Sequence, residues 1–157
     1  QHWAKNDDDD LLVYFQRDQR SNWAFLRDSV LFLGVSAVNG IVPDQAEFDT
    51  RNNYNFRWVK GMAKDHEASI RAIVIFGNAK PGFSQNIQFF AQLEDFWRSG
   101  YGKPVLYVHA SPADGKLITP YKPFKDIQHF YAAQVDTSKD IGIRINVGEG
   151  PMPFLFG

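Results

Sequence analysis

The stretch that decides the fold is Arg71 to Gly82, with the sequence Arg-Ala-Ile-Val-Ile-Phe-Gly-Asn-Ala-Lys-Pro-Gly. Residues Ala72 to Phe76 are apolar without a polar break, and this pattern is typical of a strand buried on both faces within a parallel sheet. Gly77, Pro81 and Gly82 predict a loop directly after this strand. Because open α/β sheets bind ligands at the carboxyl ends of their strands, Asn78 and Lys80 are the first candidate site residues.

A second strand of the same kind is predicted at Pro104 to Ala110, and the polar segment that follows it begins at His109. If the two strands are parallel neighbours, Asn78 and His109 lie at the same edge of the sheet. We call this edge, at the carboxyl ends of the parallel strands, the rim. The sequence therefore predicts that any site lies on this rim.

The elements before and between these strands complete an alternating pattern. Asn22 to Leu26 and Val30 to Val38 are predicted to form a hairpin that enters a buried strand. Apolar residues at helical spacing predict helices from Asp44, the proposed N-cap, to about Glu67 and from about Ser84 to Ser99. The order of strands and helices predicts a mainly parallel sheet.

The pattern changes after His109. Ser111 to Lys125 is rich in Pro, Gly and Lys, which predicts a loop. Alternating apolar and polar residues at Ile127 to Val135 and Ile141 to Val147 predict antiparallel strands with one face in water. Pro151 to Gly157 is predicted to add a short edge strand. The predicted fold class is α/β, with a mainly parallel sheet, flanking helices and antiparallel strands at the C-terminus.

Composition restricts the function. The 157 residues indicate one domain, and a net charge of -1 without a basic cluster argues against a nucleic-acid binder. The absence of cysteine excludes disulfides, thiolate metal ligands and a cysteine nucleophile. No apolar stretch approaches the roughly 20 residues that span a bilayer. The 15% aromatic content indicates a thick core or apolar surfaces used for assembly.

The beginning of the chain is polar. Residues 1–20 are predicted to form a polar N-terminal segment, and residues 21–157 the domain. Asp7 to Asp10 is expected to be solvated, since four successive carboxylates do not converge on one calcium ion. The chain opens with Gln1 rather than Met, which indicates a processed or trimmed terminus and favours a secreted or organellar protein.

Several segments together resemble, in their order and spacing, the carboxyl-terminal half of a calcineurin-like metallophosphoesterase domain. The resemblance covers most of residues 21–157. Its segments are Ser21 to Leu26, Val30 to Val35, Asn55 to Val59, Ala72 to Gly77, Gly102 to His109, Asp126 to Val135 and Ile141 to Val147. It implies a β-sandwich flanked by helices, with a dinuclear Zn, Fe or Mn site at the strand ends.

The metal motifs of that family are incomplete in this chain. The resemblance implies a histidine where Asn78 stands and a second histidine where Ala113 stands, so that of the expected imidazoles only His109 remains. The motifs of the family's amino-terminal half have no counterpart before residue 21. The resemblance therefore implies a metal site at His109 and Asn78 only if another chain completes it, and no catalytic residue is assigned.

Three hypotheses follow. The leading one is a non-catalytic structural or assembly subunit without a cofactor, forming a homo-oligomer or joining a larger assembly, such as one with an N-terminal fragment of the same precursor. The second is a metal-dependent phosphoesterase fragment whose site another chain completes. The third is a binding module for an anionic ligand at Lys80 and Lys116.

Overall fold

The computed structural model describes residues 2–5, 11–40, 43–82, 84–111, 116–136, 138, 144–150 and 153–156. These residues form two α-helices, α1 (Gln45–Asp65) and α2 (Ile87–Arg98), and strands that are numbered here in chain order. The strands are β1 (His2–Lys5), β2 (Leu12–Phe15), β3 (Trp23–Arg27), β4 (Val30–Gly34), β5 (Ala72–Gly77), β6 (Val105–Ser111), β7 (Ile118–Tyr121), β8 (Phe130–Asp136), β9 (Ile145–Val147) and β10 (Phe154–Phe156).

Eight strands form one sheet in the order β1-β2-β3-β4-β5-β6-β8-β7, and β9 and β10 form a separate antiparallel pair. The four central strands, β4, β5, β6 and β8, are parallel. Strands β1 to β4 are antiparallel to one another, and β7 is antiparallel to β8. The predicted α/β class is confirmed, and the sheet is mixed, with a parallel centre and antiparallel flanks.

Strand β5 lies in the middle of the parallel region, as its unbroken apolar run predicts. Its residues from Ala72 to Ile75 are buried, and they alternate between two apolar clusters on opposite faces of the sheet. One cluster includes residues of both helices. The other includes residues of β9 and β10. The sheet is thus covered by helices on one face and by the small antiparallel pair on the other.

The two helices form where the spacing of apolar residues predicts them. The Oδ1 atom of Asp44 accepts a hydrogen bond of 3.2 Å from the backbone N–H of Glu47, so Asp44 is the N-cap of α1. A short 3-10 turn at Ser84–Asn86 precedes α2, so the α-helix itself begins later than predicted. Neither helix of the described residues is long and apolar enough to cross a membrane.

Two of the predictions for the region after β6 need correction. The segment from Ser111 to Lys125, predicted as a loop, contains β7. Strand β8 is buried on both faces at Ala132 and Ala133, and it pairs in parallel with β6. The predicted antiparallel pairing holds for β8 with β7 but not with β6, and the prediction of one face in water is wrong for this strand. The reason is that β7 takes the outer edge of the sheet and leaves β8 inside it.

Three further predictions concern the ends of the chain. The segment 1–20 supplies β1 and β2 to the main sheet. The edge strand predicted near the C-terminus is present as β10, which pairs with β9. The acidic run at residues 7–10, the residues Ile141 and Ile143, and Ala113 lie outside the described part of the chain.

Candidate functional site

The rim lies at the carboxyl ends of the four parallel strands. In the register of β5 and β6, Gly77 is the partner of His109. Asn78 directly follows β5, and His109 lies within β6, two residues before its last residue, Ser111. Their side chains nevertheless differ in environment. Asn78 is exposed, whereas His109 is 1% exposed and its ring lies 5.9 Å from the ring of Tyr107, between centroids.

Both ring nitrogens of His109 have hydrogen-bond partners. Nδ1 lies 3.0 Å from the backbone carbonyl oxygen of Ala110, and Nε2 lies 2.7 Å from the hydroxyl oxygen of Tyr121. Because a carbonyl oxygen only accepts, Nδ1 carries the proton and donates it. Nε2 then accepts from the Tyr121 hydroxyl. The lone pair that would bind a metal ion is therefore already used within the chain.

The electrostatic environment keeps this histidine neutral. Burial lowers the pKa of His109 below its usual value, against a smaller opposing effect of the Ala110 carbonyl, and the positive charge of Lys80 lowers it further. Burial also raises the pKa of Tyr121, so its hydroxyl stays protonated and can donate. The pair is a neutral hydrogen bond between β6 and β7.

We expect this pair to make the fold sensitive to acid. Because the folded-state pKa of His109 is lowered, the unfolded chain binds more protons below about pH 6.5, and stability falls as the pH drops through that value. The variant His109→Gln should lose less stability than the parent chain between about pH 7 and pH 5. Urea denaturation at both pH values measures this, and equal losses in the two proteins would contradict the assignment.

The other predicted site residues are separated from His109 in different ways. The backbone of Asn78 is held by Ala37 and Asn39, since its N–H donates to the Ala37 carbonyl at 2.9 Å and its carbonyl accepts from Asn39 Nδ2 at 3.0 Å. Lys80 Nζ lies 6.0 Å from the centroid of the Tyr121 ring. Lys116 is exposed, two residues before β7. The structure thus brings Lys80, but not an open imidazole, to this part of the rim.

A dinuclear metal centre does not fit these residues. Such a centre needs roughly four to six ligands that converge, and the described residues contain no group of three or more His, Cys, Asp or Glu side chains that could hold a metal ion. His109 is buried and uses both nitrogens, whereas Asn78 is exposed. The described residues by themselves therefore do not supply the converging ligands of a dinuclear centre.

Sequence reasoning missed the buried asparagines that fix the segment after β4. Asn22 Nδ2 donates to Asn55 Oδ1 at 2.9 Å and to Gln16 Oε1 at 2.7 Å, and Asn22 Oδ1 accepts from the backbone N–H of Ser36 at 2.8 Å. Farther along, Asn86 Nδ2 donates to the Val38 carbonyl at 2.8 Å. These amides tie β3, α1 and the start of α2 to residues 35–39.

One signal could have revealed this network. Asparagine has low helix propensity, yet α1 contains Asn52, Asn53 and Asn55 in its interior. Asn52 and Asn55 are buried, and such a density of amides within a helix indicates side chains that are needed for hydrogen bonding. The amides are neutral and face the protein interior, so they support the rim structurally.

Comparisons of the chain with protein-family models, with curated proteins and with solved structures gave no match. The resemblance to the calcineurin-like domain therefore remains a prediction from the sequence.

Proposed function

We propose that this chain is a non-catalytic structural or assembly subunit, a half-domain of the calcineurin-like β-sandwich type whose metal chemistry has been lost. The observation that carries this proposal is the state of His109. It is the best metal-ligand candidate of the chain, yet it is buried and donates and accepts hydrogen bonds within the chain through both ring nitrogens. A histidine in this arrangement stabilises the contact between β6 and β7.

An apolar surface supports the assembly part of the proposal. On the face opposite the helices, four partly exposed aromatic side chains form a row: Phe32, Phe25, Trp23 and Phe76. Successive rings stack with centroid distances of 4.8, 5.8 and 6.0 Å. We call these four residues the aromatic row. Partly exposed apolar side chains that are contiguous in this way are typical of surfaces that bind other proteins.

The small sheet of β9 and β10 covers only a part of this face. Arg71 holds it in place, since Arg71 Nη1 donates to the Val147 carbonyl at 3.0 Å. A cavity of about 400 Å³ with apolar walls lies where β9 meets the main sheet, and Phe32 and Phe76 line it. We propose that a second layer of strands, from another copy of the chain or from an N-terminal fragment of the same precursor, packs against the aromatic row and completes a sandwich.

The oligomeric state tests this proposal. We expect the isolated chain to self-associate, and Phe25→Lys to shift it toward the monomer because a charge within the aromatic row opposes burial. Ala68→Lys, at an exposed position in the turn after α1, is the matched control and should leave the mass unchanged. Light scattering coupled to size-exclusion chromatography measures the mass, and circular dichroism verifies that each variant is folded.

Two results would contradict the proposal. A chain that stays monodisperse and monomeric at every concentration tested would remove the assembly role. About two equivalents of Zn, Fe or Mn in the protein purified from its source, together with phosphatase activity that His109→Gln abolishes, would instead support the metal-dependent phosphoesterase fragment.

A further inference from the structure

The chain contains one Asn-Gly pair, Asn39-Gly40, in the segment that follows β4. An asparagine that precedes glycine loses its side-chain amide more readily than other asparagines, because glycine has no side chain that shields its backbone nitrogen. Both residues are exposed, and a Cβ atom added to Gly40 would meet no described atom within 4 Å apart from its chain neighbours. The pair is therefore open to water on the rim.

The other asparagines lack this combination of exposure and sequence. None of them precedes glycine. Asn78 and Asn146 are exposed, but Ala79 and Val147 follow them, and a side chain on the following residue hinders the approach of its nitrogen. Four more are buried in the protein: Asn22, Asn52, Asn55 and Asn86. Asn39 is thus distinguished from the other described asparagines both by its neighbour and by its exposure.

The backbone of Gly40 explains why glycine stands at this position. Its φ angle is +128°, a conformation that residues with a side chain rarely adopt. Among the described residues, the Gly40 N–H donates to no backbone carbonyl, so its nitrogen is not held by the rest of the main chain. The turn therefore requires the residue that also makes Asn39 reactive.

We propose that Asn39 is a site of deamidation that loosens the rim. The backbone nitrogen of Gly40 attacks the side-chain carbonyl carbon of Asn39, and a five-membered succinimide ring forms. The bond between that carbon and the amide nitrogen breaks, and ammonia leaves with the proton that the Gly40 nitrogen gives up. A water molecule then opens the ring, so that position 39 becomes aspartate or isoaspartate and gains one negative charge.

The reaction changes a contact between two neighbouring segments of the rim. Asn39 Nδ2 donates to the Asn78 carbonyl at 3.0 Å. Close by, the N–H groups of Asn78 and Ala79 both donate to the Ala37 carbonyl, at 2.9 and 2.8 Å. A carboxylate at position 39 only accepts hydrogen bonds, so two acceptors would face each other where a donor and an acceptor now meet. Deamidation thus removes a hydrogen bond that joins the segment after β4 to the segment after β5.

The same hydrogen bond slows the reaction in the folded protein. The Asn39 amide must leave the Asn78 carbonyl before the Gly40 nitrogen can reach its carbon atom. Because Asn39 and Asn78 are exposed, water replaces the lost partner, and the opening costs little. We therefore expect the folded chain to deamidate at Asn39 about five- to tenfold more slowly than the chain unfolded in urea.

Peptide mapping by mass spectrometry measures the reaction after the full chain is incubated at mildly alkaline pH. The tryptic peptide 28–51 contains Asn39 as its single asparagine and should gain the mass difference between an amide and an acid. Peptide 72–98, which contains Asn78, should react about tenfold more slowly or less, and Asn39→Gln should abolish the gain in peptide 28–51. Equal rates in the two peptides, or a folded chain that stays unmodified while the unfolded chain reacts, would overturn the proposal.

The variant Asn39→Asp reproduces the charge of the product and tests its effect on the rim. In this variant the amide protons of Asn78 and Ala79 should exchange with solvent about fivefold faster, as expected for the loss of one hydrogen bond. Asn146→Asp is the matched control, since it adds the same charge at an exposed position of β9 and should leave these amides unchanged. Unchanged exchange in Asn39→Asp would overturn the loosening of the rim. Neither position belongs to the aromatic row, so these results are independent of the assembly role.

Discussion

Replacing Asn22 with alanine is expected to lower the free energy of unfolding by about 3 to 5 kcal/mol, because several buried hydrogen bonds are lost together. Asn22 is 0% exposed and bonds to two side chains and one backbone group. The substitution leaves Asn55 Oδ1 and the Ser36 N–H without their partner inside the protein. Each such group then carries its full desolvation penalty.

Chemical denaturation followed by circular dichroism measures this loss. Gln19→Ala is the matched control, since Gln19 Nε2 donates to Ser21 Oγ at 2.8 Å on the exposed surface close to Asn22. The control should change stability by no more than about 0.5 kcal/mol. A loss below about 1 kcal/mol for Asn22→Ala would mean that the amide network does not hold the segment after β4.

Replacing Gly77 with alanine is expected to destabilise the fold by about 3 kcal/mol, because there is no room for a methyl group at this position. A Cβ atom added to Gly77 would lie 2.3 Å from the hydroxyl oxygen of Tyr107. That hydroxyl donates to the Ala79 carbonyl at 2.8 Å, and the Tyr107 ring is buried. The methyl group therefore displaces a tyrosine that cannot move without breaking its hydrogen bond.

A double-mutant cycle isolates this contact. Tyr107→Phe removes the hydroxyl group, so it should cost less in the Gly77→Ala background than in the parent chain, with a coupling of about 1 kcal/mol or more. Gly61→Ala is the control, because nothing outside its chain neighbours and the nearby backbone of α1 lies within 4 Å of the added Cβ, and alanine favours the interior of α1. Additive losses at positions 77 and 107 would show that the two side chains do not collide.

The elements that the sequence predicts correctly are those encoded by local patterns. The apolar run of β5 needs no knowledge of distant residues to be recognised as a doubly buried strand. The same holds for α1, whose N-cap and apolar spacing are contained within its own residues. The β3–β4 hairpin is also local, with Asp28 and Ser29 at positive φ in its turn.

The features that could not be predicted depend on pairings between distant residues. Strand β7 lies within a segment rich in Pro and Gly, and only its pairing with β8 makes it a strand. The position of β8 between β6 and β7 then buries residues on both of its faces, where one face in water was expected. His109 could be identified from sequence as a site candidate, but its partner Tyr121 comes from that unpredicted strand.

The eight-stranded sheet has two unlike ends. At one end, β7 contains Pro120, which has no N–H group and cannot contribute a complete ladder of hydrogen bonds to another strand. At the other end, β1 pairs with β2 alone among the described strands. Addition of a further strand is therefore opposed at the β7 end by Pro120, whereas β1, His2–Lys5, contains no proline.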